Sequence, residues 1–164
     1  MADTFHDRAL PFSFLTLLWI GLIAGTLDIG ENILYNHFRG VTPRMIFQYI
    51  ASGLIGMSSF QMGATSVALG VMIHYCIALT WTAIFYLASR QIAVLRERPV
   101  ICGLLYGVLV YVVMTYLVLP LTHVPPPRHP PTLWTRFNAL LPLLFCIGLT
   151  ISLLVRWSDR RLVR

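Results

Sequence analysis

Long apolar runs without charge constrain this chain more than any other feature. Four stretches of about 20 residues, at about 10–34, 64–88, 100–121 and 137–155, are dominated by Leu, Ile, Val, Phe and Ala, and the last three contain no Arg, Asp or Glu. A run of this length lets a helix cross the hydrocarbon core of a bilayer. The sequence therefore predicts an all-α, integral membrane four-helix bundle, with residues 1–164 forming a single transmembrane domain.

Composition excludes the soluble alternatives. The 164 residues are 57% hydrophobic and 11% charged, whereas a soluble domain carries about 25% charged residues. A chain this short has too much surface to hide the excess in a core. All 12 basic residues are arginines, and they flank the apolar runs without forming a basic stripe. Nucleic acid is therefore not an expected partner, and the lipid bilayer is.

The segment between the first two runs predicts a short helix of its own. It opens with Thr42 and Pro43, a helix-capping residue followed by proline at the first helical position. Its apolar residues then recur every four positions, at Ile46, Ile50 and Leu54. At about 14 residues it is too short to span, so we expect an interfacial or re-entrant helix at about 43–56.

The arginines also predict the orientation of the chain. With four spans, both termini and the loop after the second run share one side of the membrane, and that side holds 8 arginines against 4 on the other. Cytoplasmic loops carry the excess of positive charge. We therefore expect both the N- and the C-terminus to be cytoplasmic.

Two glycine pairs predict where the helices approach closely. Gly21 and Gly25 in the first run, and Gly103 and Gly107 in the third, have the small-xxx-small spacing that lets helix backbones meet in a membrane. Such pairs serve packing within one chain or a seam between two copies, so a homo-oligomer and another membrane protein remain open as partners.

Small and polar residues continue these pairs every three or four positions, which places them on one face of each helix. The rows are Gly21, Gly25, Asp28 and Asn32; Ser66, Gly70, His74, Ala78 and Thr82; Gly103, Gly107, Tyr111 and Thr115; and Asn138, Pro142, Cys146 and Thr150. We expect the four faces to meet in the bundle interior.

The deepest members of these rows form the candidate site. With a rise of about 1.5 Å per residue, His74 and Tyr111 lie roughly 15 Å inside their helices, and Asp28 and Thr115 roughly 9 Å. We expect Asp28, His74 and Tyr111 to form a hydrogen-bonded cluster, with Thr115 and Asn32 continuing it towards the outer side and Glu31 at its mouth. An ionisable group in a membrane marks a functional site by default, but a buried histidine bonded to a carboxylate also serves simply to fix helix register. Both interpretations stay open.

Four segments resemble a group of bacterial inner-membrane proteins that are YagU-like in architecture. The segments are GLIAGTLDI, GVTPRMIFQYIASGLIG, ALGVMIHYCIALTWTAIFYLASR and GLLYGVLVYVVMTYLVLPLT. The resemblance covers residues 21–122 and implies a multi-pass protein of the bacterial inner (plasma) membrane. Asp28 and His74 lie inside the resembling motifs, and no activity follows from them.

The functional prediction follows from the motifs that the sequence lacks. The sequence has no P-loop, no GxSxG and no HExxH, and its histidines have no diagnostic metal spacing. No cofactor, metal or catalytic residue is therefore expected. The first hypothesis is a non-enzymatic inner-membrane protein with a structural or interaction role. The alternative is a small oligomeric transporter or channel component, in which the Asp28 and His74 pair binds a proton, a cation or a small substrate.

Overall fold

A computed structural model describes residues 13–126 and 130–162. All regular structure within these ranges is helical. The α-helices are α1 (Phe14–His37), α2 (Pro43–Ile55), α3 (Ala64–Gln91), α4 (Val94–Glu97), α5 (Pro99–Val113), α6 (Leu133–Pro142) and α7 (Thr150–Leu162). Two π-helical segments, Met114–Val118 and Leu143–Leu149, continue α5 and join α6 to α7. Short 3₁₀ turns occupy Gly56–Phe60 and Leu119–Leu121.

Four helices are long and apolar enough to cross a membrane, which confirms the all-α four-helix prediction. They are Phe14–His37, Ala64–Gln91, Pro99–Leu121 and Leu133–Arg160, called the first to fourth spans below. The first span was expected from about residue 10, and residues 10–12 lie outside the described ranges. The fourth span begins four residues before the expected 137, because Thr132 caps it by accepting a hydrogen bond from the Thr135 backbone N–H.

The first span, α1, packs against both α3 and the fourth span, and α5 packs along the fourth span. Tyr106 of α5 closes the bundle onto α3: its hydroxyl donates to the Trp81 carbonyl at 2.6 Å, and its ring packs edge-on against Phe85. The core between the spans includes Ile20, Ala24, Phe85, Val110, Ile151 and Val155. The chain thus folds as an all-α bundle with an apolar exterior.

The bundle has two distinct ends. At the terminal end, α1 begins and α7 finishes, and the Ser13 backbone N–H donates to the Tyr86 hydroxyl. At the α2 end, α2 lies between the close of α1 and the start of α3. There the His123 backbone N–H donates to the Gly53 carbonyl at 3.0 Å, which ties the loop after the third span to α2.

The short second helix forms at Pro43–Ile55, close to the expected 43–56. Thr42 caps it, and its side chain accepts from the Met45 backbone N–H. The helix packs onto the first turns of α3, where the Phe47 carbonyl presses against Gly70 and the Gln48 amide donates to the Ser66 hydroxyl at 3.4 Å. Gly70 stands six residues into α3, about 9 Å along its axis. The helix therefore lies beside the body of the second span.

The buried face of the fourth span differs most from the face predicted from the sequence. Pro142 cannot donate a backbone hydrogen bond to the turn before it, and the helix continues from it as a π-helix. The Thr150 backbone N–H accordingly reaches back five residues to the Phe145 carbonyl. The wider turns break the four-residue spacing on which the expected face depended. The buried residues of this span are instead Ile147, Gly148, Ile151, Ser152, Val155, Ser158 and Asp159.

Candidate functional site

The seam between α1 and α3 positions the candidate site. A Cβ placed on Gly25 would lie 2.9 Å from the Ala78 Cβ, and one on Gly21 would lie 3.3 Å from the Leu79 Cα. Both contacts are within this one chain, so these glycines serve intramolecular packing, as one of the two interpretations predicted. The close approach exposes backbone carbonyls of α1 to side chains of α3.

His74 uses one of those carbonyls. Its Nε2 lies 2.8 Å from the Gly25 carbonyl oxygen, and its ring packs edge-on against Tyr75. A carbonyl oxygen only accepts, so Nε2 must carry the proton and donate it. All five members of the predicted row on α3, from Ser66 to Thr82, are buried with it.

Asp28 lies one turn beyond Gly25 on α1 and is half-buried. It interacts electrostatically with His74. However, the imidazole donates to the backbone, and the hydrogen bonds of the described residues include none from the Asp28 carboxylate. The structure therefore does not show the predicted Asp28–His74 hydrogen bond, and the glycine that brings the helices together supplies the acceptor for His74 Nε2. The two groups are electrostatic neighbours, which is a weaker and less directional relationship.

Two further groups lie near Asp28. Glu31 is one turn further along α1, where its negative charge repels that of Asp28, and the fourth span brings the Cys146 thiol near both carboxylates. The π-helical segment carries Cys146 to this position. We define the acidic seam as Asp28, Glu31, His74 and Cys146. The sequence placed Cys146 on a polar row but gave it no role beyond a small apolar residue.

The structure does not bring the remaining predicted residues into this seam. Tyr111 lines a groove against α6, and Thr115 is half-buried in the π-helical turn that follows α5. Asn32 is exposed and accepts a hydrogen bond from the Asn36 side chain at 3.2 Å. The predicted link from His74 to Tyr111 is wrong, because α5 faces the fourth span along its length and meets α3 chiefly through Tyr106.

The acidic seam is not arranged as a metal site. Across residues 13–126 and 130–162, no three His, Cys, Asp or Glu side chains lie close enough together to hold a metal ion. The seam combines an imidazole that donates to a backbone carbonyl, a carboxylate without a hydrogen-bond donor in the described structure, and a second carboxylate one turn away.

The fold and the seam define the class of this molecule: it is an all-α, multi-pass membrane protein with ionisable side chains inside its bundle. Comparison with protein-family models, curated proteins and solved structures finds no match.

Proposed function

We propose that this chain is a non-catalytic protein of the bacterial inner membrane, acting as a structural or interaction subunit with itself or another membrane protein. The observation that supports it is the use of interior polar groups. His74 donates to the Gly25 carbonyl, Tyr106 to the Trp81 carbonyl and Ser152 to the Pro99 carbonyl. Each bond joins two different spans, so these polar residues fasten the helices together.

The proposed orientation rests on charge. The terminal end of the described structure carries Arg90, Arg96, Arg98, Arg156 and Arg160, and positive charge is retained on the cytoplasmic side. The resemblance of residues 21–122 to bacterial inner-membrane proteins supports the same location. Single cysteines at Ala2 and at Pro126, in a variant without the three native cysteines, test the orientation. A membrane-impermeant reagent added outside intact cells should label only the Pro126 position. If that position is labelled only from the cytoplasmic side, the proposed orientation is wrong.

An interaction subunit must meet its partner through its apolar exterior. A photo-reactive residue at Leu105, whose side chain is 65% exposed, is expected to give a cross-linked product of one defined mass in native membranes. The matched position is Val110 on the same helix, which is buried and should give no intermolecular product. If a scan of all exposed positions on the four spans yields only lipid adducts, the interaction role is wrong.

A second function is favoured by one specific observation, the Asp28 carboxylate that stands within a span without a hydrogen-bond donor in the described structure. A charge left in this state is costly in a membrane and is typical of proton or cation pathways. In this alternative the chain is a component of a small transporter or channel. Four helices are few for alternating access, so a dimer or larger assembly would be required.

Flux measurements separate the two functions. The full chain is reconstituted into liposomes that contain a pH-sensitive dye, and proton flux is driven by a potassium diffusion potential. A structural subunit should leave the flux equal to that of empty liposomes. Flux that Asp28→Asn abolishes, and that the exposed control Asn32→Ser leaves intact, would contradict the structural role and establish the alternative.

A further inference from the structure

An open groove of about 480 Å³ lies between the third and fourth spans at the α2 end of the bundle. Its walls are Tyr111 from α5 and Leu133, Trp134, Arg136, Phe137 and Leu140 from α6. The lining is almost entirely apolar, and the α6 side chains are well exposed: Leu133 by 86% and Trp134 by 67%. Such a surface is suited to a ligand that is itself largely apolar.

Arg136 is the one charged residue among the six that line the groove. Within the described ranges its guanidinium makes no hydrogen bond and no ion pair, although five N–H donors need partners. Arg136 is exposed, so its guanidinium is available to an anionic group from outside the chain. Its planar donor fork matches a phosphate or a carboxylate in two-point geometry. Of these two anions, phosphate is the one that phospholipid headgroups carry at the level of span ends.

The positions of the lining residues order the groove by polarity along the membrane normal. Trp134 and Arg136 lie in the first turn of the fourth span, and aromatic and basic residues at span ends sit at the level of lipid headgroups. Leu140 is one turn further in, about 6 Å beyond Arg136. The groove thus has a cationic mouth and an apolar interior, which complement the anionic headgroup and the apolar acyl chains of a phospholipid.

We propose that this groove binds one anionic phospholipid, with the lipid phosphate on Arg136 and an acyl chain against Phe137, Leu140 and Tyr111. Charge complementarity selects this occupant over a second copy of the chain. At the α2 end the acidic side chains of the described structure are Asp28 and Glu31, which belong to α1 and are half-buried. A phospholipid carries both a phosphate for Arg136 and acyl chains for the apolar walls.

Native mass spectrometry of the full chain tests this. The protein is purified in detergent and incubated with dioleoyl phosphatidylglycerol or, separately, dioleoyl phosphatidylcholine, which has the same acyl chains and a neutral headgroup. We expect one phosphatidylglycerol to be retained about tenfold more strongly than phosphatidylcholine. Both lipids offer a phosphate for a charge-assisted bond with the guanidinium, but the choline cation of phosphatidylcholine neutralises that phosphate and repels Arg136. Equal retention of the two lipids would overturn the proposal.

Two variants and one control locate the site. Arg136→Gln should remove the preference for phosphatidylglycerol, while Arg39→Gln should keep it, since Arg39 lies at the same end but donates to the Tyr35 hydroxyl. Leu140→Trp fills the groove without changing its charge and should lower retention of both lipids.

If Arg136→Gln binds phosphatidylglycerol like the unchanged protein, the site is elsewhere. If Arg136→Gln instead dissociates a dimer with no change in bound lipid, the occupant is a second copy and the lipid assignment is wrong.

Discussion

The two glycine-containing seams of the bundle are built differently. In the α1–α3 seam, Gly21 and Gly25 face mainly side chains of α3. The atom nearest Gly21 is the Cδ2 at the end of the Leu79 side chain, which can turn aside if a larger residue is introduced. In the α5–fourth span seam, Gly103 and Gly107 face the backbone around Leu143 and Gly148. A backbone in a helix cannot turn aside without losing its own hydrogen bonds. The first seam is therefore adaptable and the second is interlocked.

The difference coincides with where the ionisable groups lie. The adaptable seam holds Asp28, Glu31 and His74, and its direct tie is the imidazole bond to the Gly25 carbonyl. The interlocked seam is joined by backbone contact and by the Ser152 hydroxyl, which donates to the Pro99 carbonyl at 2.7 Å. The ionisable groups therefore lie where the helices meet largely through side chains, whereas the other pair of spans meets largely through backbone.

The largest effect is expected in the interlocked seam. A Cβ on Gly148 would collide with the Gly103 carbonyl and lie 2.7 Å from the Gly107 backbone nitrogen. Gly148→Ala and Gly107→Leu should each destabilise the protein by about 3 kcal/mol, the upper range for overpacking a core. Thermal unfolding in detergent measures this. Val112→Leu, on the same helix as Gly107 but 45% exposed, is the control, and equal melting temperatures for all three variants would contradict the assigned faces.

The adaptable seam should tolerate the same change better. Gly21→Ala places its Cβ 2.6 Å from the Leu79 Cδ2, the end of a flexible side chain. We expect a loss of only about 1 kcal/mol because that side chain can give way. Gly30→Ala on the same helix meets nothing within 4 Å and should stabilise the protein slightly, since alanine favours a helix over glycine by about 1 kcal/mol. Chemical unfolding in mixed micelles compares the two. A Gly21→Ala loss as large as that of Gly148→Ala would end the distinction between the seams.

The histidine bond should contribute less than either glycine contact. His74→Leu removes the donor to the Gly25 carbonyl and should cost about 0.6 kcal/mol, with an upper limit near 1.7, the range for interhelical hydrogen bonds in membranes. His74→Gln retains an N–H donor of similar reach and should recover part of the loss. Unfolding of the three proteins under one set of conditions measures the series. If His74→Leu has the same free energy of unfolding as His74→Gln, the hydrogen bond contributes nothing.

The smallest effect is expected between Asp28 and His74. Residues in direct contact couple by about 0.5–3 kcal/mol in a double-mutant cycle, whereas separated ones nearly add. Because His74 donates to the backbone, Asp28→Asn and His74→Gln should couple by less than about 0.5 kcal/mol. A larger coupling energy would mean that the two side chains bond directly in the membrane and would restore the cluster expected from the sequence.

Much of the architecture was predictable because it depends on residue types in a local pattern. Apolar length located the four spans, the Thr42–Pro43 pair located the start of α2, and glycine spacing located both seams. The row from Ser66 to Thr82 was predicted correctly, since α3 is an uninterrupted α-helix in which four-residue spacing holds. These features require no knowledge of which helix packs against which.

The details of the site were not predictable in the same way. The acceptor of the His74 hydrogen bond is a main-chain carbonyl, which no residue type in the sequence identifies; only the close approach at Gly25 makes it reachable. Tyr111 was assigned to the wrong neighbour because a helical face can be read from sequence but its partner cannot. Pro142 was the one warning that the row containing Cys146 would not continue at four-residue spacing.

The π-helical segment at Leu143–Leu149 also determines how the fourth span responds to a change in length. Each residue of an α-helix turns the chain by about 100°. A hydrogen bond that reaches back five residues closes a turn with one residue more than the α-helical ring. Removing one residue from the segment would let the helix regularise its hydrogen bonds and keep the residues beyond it close to their present faces. Ser152 would stay near the Pro99 carbonyl, and Val155 would stay in the core. The segment therefore accommodates one extra residue between two helical halves, whereas the same deletion in the uninterrupted α3 would rotate everything beyond it by about 100°.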